Sequence, residues 1–250
     1  MRAVTTAFRV LEEVALHQPV GVSELARLLD EPKSTVQRAL QALHDVGWVE
    51  QEPGGTRRWV QTTKLLALAS RGGGVGLRER AMPVLRELAE ATDENIHLSV
   101  RNGRGITIVE KLDSSKSVRP HDPLGVVAPL HATSTGKAIL AWSDHTDVED
   151  VIAHGLAGFT TQTLVDPDTL RRELRSIRDT GYSVNRGEWR DDIRGVAAPI
   201  IDADGRARAA ISVAVPAHRL PEEATAALGE LVAASVTRLC TPPVHVERGA

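Results

Sequence analysis

Ser34, Gln37, Arg38 and Gln41 recur along one side of a helical stretch whose other side carries Val36, Ala39, Leu40 and Leu43, with Lys33 and Thr35 at the flanks. Hydroxyl, amide and guanidinium groups can all hydrogen-bond base edges or phosphate oxygens, whereas carboxylates are repelled by phosphate. This face has no acid before Asp45. A face that is merely solvated usually mixes acids with bases. The residues that follow favour nucleic acid: Gly47–Glu50 reads as a strand, Glu52–Gly55 as a turn and Thr56–Val60 as a returning strand, with Arg57 and Arg58 beside the turn. A helix–turn–helix followed by a basic hairpin is a winged helix, a DNA-binding arrangement. From Lys33 to Lys64 there are five basic residues against three acidic ones, a modest excess that calls for two such surfaces in a dimer.

A second group of residues suits anion binding. His131-Ala132-Thr133-Ser134-Thr135-Gly136 leads into a helix, so Thr133 or Ser134 can cap it while other first-turn N–H groups stay free for a carboxylate. Gly136 allows close approach to the backbone; the plainer alternative is that Ser134 only caps and the glycine only aids packing. Arg190 or Arg194 can pair with a carboxylate, although ion pairs with the neighbouring Asp191 and Asp192 are preferred. Glu188, Asp191, Asp192 and His131 match no metal-site spacing, so no metal is expected. There is no Gly-x-Ser-x-Gly elbow, no P-loop and no Gly-x-Gly-x-x-Gly after a strand, so no catalytic residues and no cofactor are assigned. The enzyme alternative, a small-molecule hydrolase using a His131/Ser134 pair, is weak. A co-regulator that does not bind DNA is a third possibility.

These groups need a scaffold, and the chain divides accordingly. Residues 4–16 form an amphipathic helix, Ser23 caps a second, and Pro32 starts the third, which runs to Leu43. A short helical pattern, 62–70, ends in Arg71-Gly72-Gly73-Gly74, read as a hinge; Leu65, Leu66 and Leu68 there can pack against a partner chain or within the monomer. The expected division is a DNA-binding domain 1–61, a linker helix and hinge 62–75, an effector domain 76–242 and a tail 243–250. The second domain opens with a helix to about Ala91. Strands at 95–101 and 105–112 flank an Asn102-Gly103 turn; further strands fall at 125–130, 182–185, 193–201 and 206–215, and helices near 137–142, 144–154, 167–180 and 221–239. Strands and helices mix without a βαβ repeat, so the fold class is α+β with a mostly antiparallel sheet. A net charge of −3 over 250 residues confines any nucleic-acid contact to a local patch. The single cysteine, Cys240, and the lack of a long apolar run or signal-like N-terminus point to a cytoplasmic protein without membrane contact.

Three passages, PKSTVQRAL, PLHATSTGKAILA and GYSVNRGEWRDDIRGVAAPI followed by AAISVAVPAHRL, together resemble the IclR family of bacterial transcriptional regulators over about residues 4–240. The resemblance implies a winged helix–turn–helix joined to a GAF-like effector domain, and a homodimer or homotetramer on a palindromic operator in double-stranded DNA. Members repress or activate in response to small organic acids. The polar helix face and the basic hairpin supply the candidate DNA contacts Lys33, Ser34, Thr35, Gln37, Arg38, Gln41, Arg57 and Arg58. Carried over residue by residue, the resemblance implies an effector site at Leu130, His131, Ala132, Gly195 and Ser212, beside the Ser134 and Gly136 of the helix start. Many members have cysteine where this chain has Gly195 and serine where it has Ala214. The expectation is therefore a roomier, less polar pocket for a larger or more apolar acid. Asp30-Glu31 also stands where Gly-Leu is common, and either tunes affinity down or fixes the turn.

Overall fold

The computed structural model describes residues 2–69 and 74–240 and divides into two compact units, residues 1–76 and 77–250. The expected hinge residues 71–73 and the tail 243–250 lie outside the described residues, and the side chains of 74 and 75 are likewise not described.

The first unit is built from α1 (Arg2–His17), α2 (Val22–Leu29) and α3 (Lys33–Asp45), then β1 (Val49–Gln51) and β2 (Trp59–Gln61), and α4 (Lys64–Ala69). Its core takes Val10 and Val14 from α1, Leu25 and Leu29 from α2, and Val36, Leu40 and Leu43 from α3, closed by Val49 and Trp59 from the hairpin. These apolar residues recur every three or four positions, which is why each helix buries a single stripe. Gly21, rather than the expected Ser23, is the N-cap of α2: with that start, Leu25, Ala26 and Leu29 all reach the core. Pro32 is likewise the N-cap of α3 and not its first residue. Asp30 adopts the left-handed conformation (φ 52°) that ends α2, and Glu31 turns toward Arg9, 4.0 Å away. The two acids therefore shape the turn. On α4, Leu65 packs on this core whereas Leu66 and Leu68 are exposed.

The second unit comprises α5 (Gly74–Thr92), β3 (Asn95–Asn102), β4 (Gly105–Leu112), β5 (Val127–Pro129), α6 (Ser134–Ala141), α7 (His145–Ala153), α8 (Pro167–Thr180), β6 (Ser183–Asn185), β7 (Ile193–Ile201), β8 (Ala207–Pro216) and α9 (Glu222–Thr237). The strands form one sheet in the order β5-β4-β3-β8-β7-β6, with every neighbouring pair antiparallel. One face packs on α5 and α9 through Leu85, Leu88, Val232 and Val236 against Leu98, Val196, Ile211 and Val213. The other packs on α6, α7 and α8 through Ile139, Leu140, Val148, Leu170 and Leu174 against Ile106, Ile108, Ala197 and Ala210. Helices on both faces explain why β7 and β8 read as nearly continuous small and apolar runs. β5 is shorter than expected because Gly125 takes a left-handed φ of 82° and only three residues pair with β4.

Candidate functional site

Thr133 caps α6, accepting from the Gly136 N–H at 3.1 Å while donating to the Pro129 carbonyl at 2.8 Å. These bonds hold the first turn of α6 over the inner face of the sheet. His97 and Ser212 are paired across β3 and β8, Ser99 lies two residues along β3 from His97, and Gly195 lies on β7 beside Ala214. Residues opposite one another in an antiparallel pair face the same side, as do alternate residues along a strand. His97, Ser99 and Ser212 therefore stand together beneath α6.

Between helix and sheet lies a cavity of about 50 Å³, lined by Thr133, Ser134 and Thr135 above, His97, Ser99, Gly195, Ser212 and Ala214 below, and Asp122, Asn185, Trp189 and Arg190 at the side, with Ile106, Ile108 and Ala128 among its apolar lining. At roughly 10–15 Å³ per water centre it holds about three to five waters, or one small organic molecule. The expected larger acid does not fit this volume. Gly195 leaves its share of the lining to backbone: a Cβ there would sit 2.8 Å from the Val213 carbonyl and 3.5 Å from Ser134 Oγ.

Among the described residues, four buried side-chain polar atoms have no hydrogen-bond partner, and three of them belong to this lining: His97 Nε2, Ser99 Oγ and Arg190 Nε. Most buried polar atoms in folded proteins are satisfied, so three unsatisfied ones around one cavity are a mark of a polar ligand. Burial lowers the His97 pKa to about 4, although the Asp122 carboxylate pulls it upward, so the ring is neutral near pH 7. Asp122 pairs with Arg190 at 2.5 Å, and the guanidinium stacks on Trp189 with 4.7 Å to the ring centroid. The segment carrying Asp122 is tied to β3 by Asn95, which donates to the Pro120 carbonyl and accepts from Ser114 N–H.

Of the expected effector residues, Ser134, Gly195 and Ser212 line the cavity. Leu130 and Ala132 are instead fully buried in the protein. His131 donates from Nε2 to the Ala157 carbonyl, 2.9 Å away, and its ring packs on Phe159, so it secures the 157–159 loop. Gly136 is a packing glycine: a Cβ there would lie 2.2 Å from the Leu130 carbonyl oxygen, leaving no space for a ligand at that point. Arg190 pairs with Asp122 rather than with Asp191 or Asp192, and Arg194 donates to the Leu220 carbonyl and approaches Glu222 at 4.0 Å. Glu188 and His131 do not converge on a metal, since Lys137 holds the Glu188 carboxylate at 2.6 Å. No group of three or more metal-ligating side chains occurs among the described residues. The sequence signal for His97 and Ser99 is two polar residues two apart on an otherwise apolar strand; Asp122 lies in an irregular segment and has none.

In the first unit Lys33, Ser34, Gln37, Arg38 and Gln41 are exposed and Thr35 is half-buried. Gln41 donates to Asp45 at 2.7 Å. In the hairpin Arg57 and Arg58 are exposed, but Arg58 folds back to donate to the Pro19 carbonyl and to Glu24 at 3.3 Å. Its charge is partly compensated; Arg57, at φ 49°, sits in the turn.

A family model described as bacterial transcriptional regulator IclR C-terminal matches residues 73–241, and one described as IclR helix-turn-helix domain matches residues 3–53. The chain is 33% identical over 234 residues to the HTH-type transcriptional regulator BhcR of Paracoccus denitrificans, covering 93% of this chain and 84% of that protein. It is 31% identical to the HTH-type transcriptional regulator KdgR of Escherichia coli, covering 88% and 84%. A crystal structure of an IclR homolog complexed with 4-hydroxybenzoate, from Microbacterium hydrocarbonoxydans, is similar with a TM-score of 0.78 at 25% identity, covering 95% of this chain and 97% of that one.

Proposed function

The chain belongs to the IclR family of bacterial transcriptional regulators, and we propose that a small carboxylate in the cavity beside α6 controls its binding to a palindromic operator. Regulation of transcription through DNA is the family's role, and its members are regulators rather than enzymes, which sets the hydrolase alternative aside. The observation that carries the effector reading is the convergence of His97 Nε2, Ser99 Oγ and Arg190 Nε, all buried and unpartnered, on one cavity at a helix N-terminus. Binding of 4-hydroxybenzoate by a relative supports a carboxylate ligand; the volume here favours a smaller acyl part.

In this reading residues 1–61 bind DNA, 62–75 connect, 76–242 bind effector and 243–250 form a tail. α3 enters the major groove with Lys33, Ser34, Thr35, Gln37, Arg38 and Gln41 toward the DNA, and the hairpin lays Arg57 along the backbone with Arg58 behind it. The protein works in the cytoplasm as a homodimer or homotetramer, because a palindrome is matched by two-fold symmetry.

Fluorescence anisotropy on the duplex upstream of its own coding region tests the DNA assignments. Arg38→Ala should cost about 1–3 kcal/mol and relax specificity, as loss of a bidentate base contact does. Arg57→Ala should weaken all sequences alike and lower the salt slope by about one. Arg58→Ala should change the slope less, given its contacts to Pro19 and Glu24. Identical behaviour of Arg38→Ala and Arg57→Ala would overturn this division of labour.

A further inference from the structure

Nε and Nη2 make up one side of the Arg190 guanidinium, the fork that a carboxylate grips with two parallel hydrogen bonds. Asp122 uses only half of it. Nη2 donates to Asp122 Oδ1 at 2.5 Å, while Nε is buried and has no partner among the described residues. Asp122 is itself 4% exposed and lines the same cavity. It belongs to residues 113–124, which run from β4 to β5 and are secured at their far end. Asp93 and Asn95 bond Ser114 and Ser115, Glu94 bonds Lys116, and Arg219 donates to the Val118 carbonyl. Among the described residues, the Asp122–Arg190 pair is the one hydrogen bond or ion pair joining this segment to the 186–192 loop.

We propose, building on the reading of this cavity as a carboxylate site, that Asp122 is an autoinhibitory competitor. It occupies half of the Arg190 fork and gives way when an effector carboxylate takes both donors. By count alone a guanidinium, with five N–H groups, could serve two carboxylates. Charge rules against it. Two carboxylates on one guanidinium leave a net negative charge in a buried cavity, where like charges are screened far less than in water. No neighbouring cation is free to offset it. His97 is neutral near pH 7, and Arg194 donates to the Leu220 carbonyl and approaches Glu222 at 4.0 Å. The buried Lys137 is held by Glu188 and Glu173.

The exchange has a mechanical consequence. A carboxylate that loses its partner while buried pays the full cost of that burial, so Asp122 moves toward solvent and takes residues 121–124 with it. Occupancy of the cavity is thereby passed to a surface segment. The other role open to Asp122 is to hold Arg190 in place for the ligand, and the two roles predict opposite signs. Weakening a holder lets Arg190 drift and lowers affinity; weakening a competitor frees Arg190 and raises it. Asparagine separates them, because its amide oxygen still accepts from Arg190 while the negative charge is gone.

Isothermal titration calorimetry of the full chain with propionate, and with propionamide as its neutral counterpart, tests this. Propionate should bind Asp122→Asn about ten- to a hundredfold more tightly than the wild type, the scale on which a neighbouring charge acts on an ionised group. Propionamide, which carries no charge, should bind the two alike. Asp122→Ser also removes the charge, guards against a variant that fails to fold, and should gain in the same direction. In NMR spectra of the wild type, propionate should shift the Leu124 amide resonance. Weaker or unchanged propionate binding by the folded variants would overturn the competitor and make Asp122 a holder. An equal gain for propionamide would overturn it in favour of packing, and a Leu124 amide that stays still as propionate binds would overturn the displacement. If propionate binds neither the wild type nor either variant, the carboxylate site itself falls, and this inference with it.

Discussion

Replacing Lys137 by Met should destabilise the second unit in a pH-dependent way. Lys137 is 0% exposed; its Nζ lies 2.6 Å from Glu188 Oε1 and 3.0 Å from Glu173 Oε1. Glu188 is buried as well, and its Oε2 has no partner among the described residues. Burial pushes the Glu188 carboxyl above the ordinary carboxylate range even though Lys137 pulls it down. Methionine keeps the apolar stem and removes the ammonium, stranding a buried carboxylate, a change that typically costs about 3–5 kcal/mol. Protonation caps the cost. Starting from the ordinary value of 4.5, placing a proton on Glu188 at pH 7 requires about 3.4 kcal/mol, falling by about 1.4 kcal/mol for each pH unit below that. A carboxyl whose folded pKa is raised binds more protons folded than unfolded, so its destabilisation shrinks as pH falls toward the unfolded value. The expectation is a loss of about 3 kcal/mol at pH 7, or roughly 6–12 °C in Tm, shrinking to under about 1 kcal/mol near pH 5. Differential scanning calorimetry of the full chain at the two pH values measures the loss, and Lys137→Met/Glu188→Gln should recover most of it at pH 7. A deficit that is the same at pH 7 and pH 5, or that the double substitution leaves in place, would refute the electrostatic account in favour of packing.

Two further outcomes follow from the same region. Gly136→Ala places a methyl 2.2 Å from the Leu130 carbonyl oxygen, so backbone must move by about 1 Å and the unit should lose about 1–3 kcal/mol or more, seen as a lower melting temperature in circular dichroism. His97 should titrate near 4 when followed by its ring C–H resonances in NMR, and lower still in Asp122→Asn, because that carboxylate raises it. A depressed histidine pKa makes the unfolded state the better proton acceptor. The resulting stability is present above about pH 6.5 and is lost as pH falls toward 4, so His97→Leu should flatten the acid limb of the melting curve; a ring titrating between 6 and 7 would contradict its burial.

How far the sequence could be read depended on how local the determining interactions are. The stripe Val36, Ala39, Leu40 and Leu43 names its own helix, and Asn102-Gly103 between two alternating runs names its hairpin, because periodicity and turn chemistry act within a few residues. The cap of α2 was ambiguous: Gly21 and Ser23 are both cap-competent, and only the fit of Leu25, Ala26 and Leu29 to the core decides between them. In the cavity, the first turn of α6 and Ser212 announced themselves as an anion-binding turn and a family motif. His97, Asp122 and the buried Lys137 did not, because each is defined by a partner far along the chain, Lys137 and Glu188 being 51 residues apart. Gly136 was ambiguous for the same reason: a glycine beside a ligand and a glycine beneath a carbonyl are the same letter, and only the fold selects the second.

The DNA-binding face is weaker than its sequence suggests, and that bears on assembly. Arg58 is drawn to Pro19 and Glu24, and Gln41 to Asp45, so two of the groups expected at DNA already have protein partners. Of the two roles open to Asp30 and Glu31, the structure supports fixing the turn: one closes α2 in the left-handed conformation and the other turns to Arg9. What remains per chain is Lys33, Arg38 and Arg57, roughly three phosphate or base contacts, which corresponds to a salt slope of about −3 at most. Non-specific affinity of that order is too weak to hold one copy on an operator at cellular salt. In the proposed dimer, two copies double the slope and add the fixed spacing of half-sites, which would make specificity a property of the pair. An effector therefore need not disturb any base contact to release DNA; it suffices that the two reading helices no longer match one turn of the duplex.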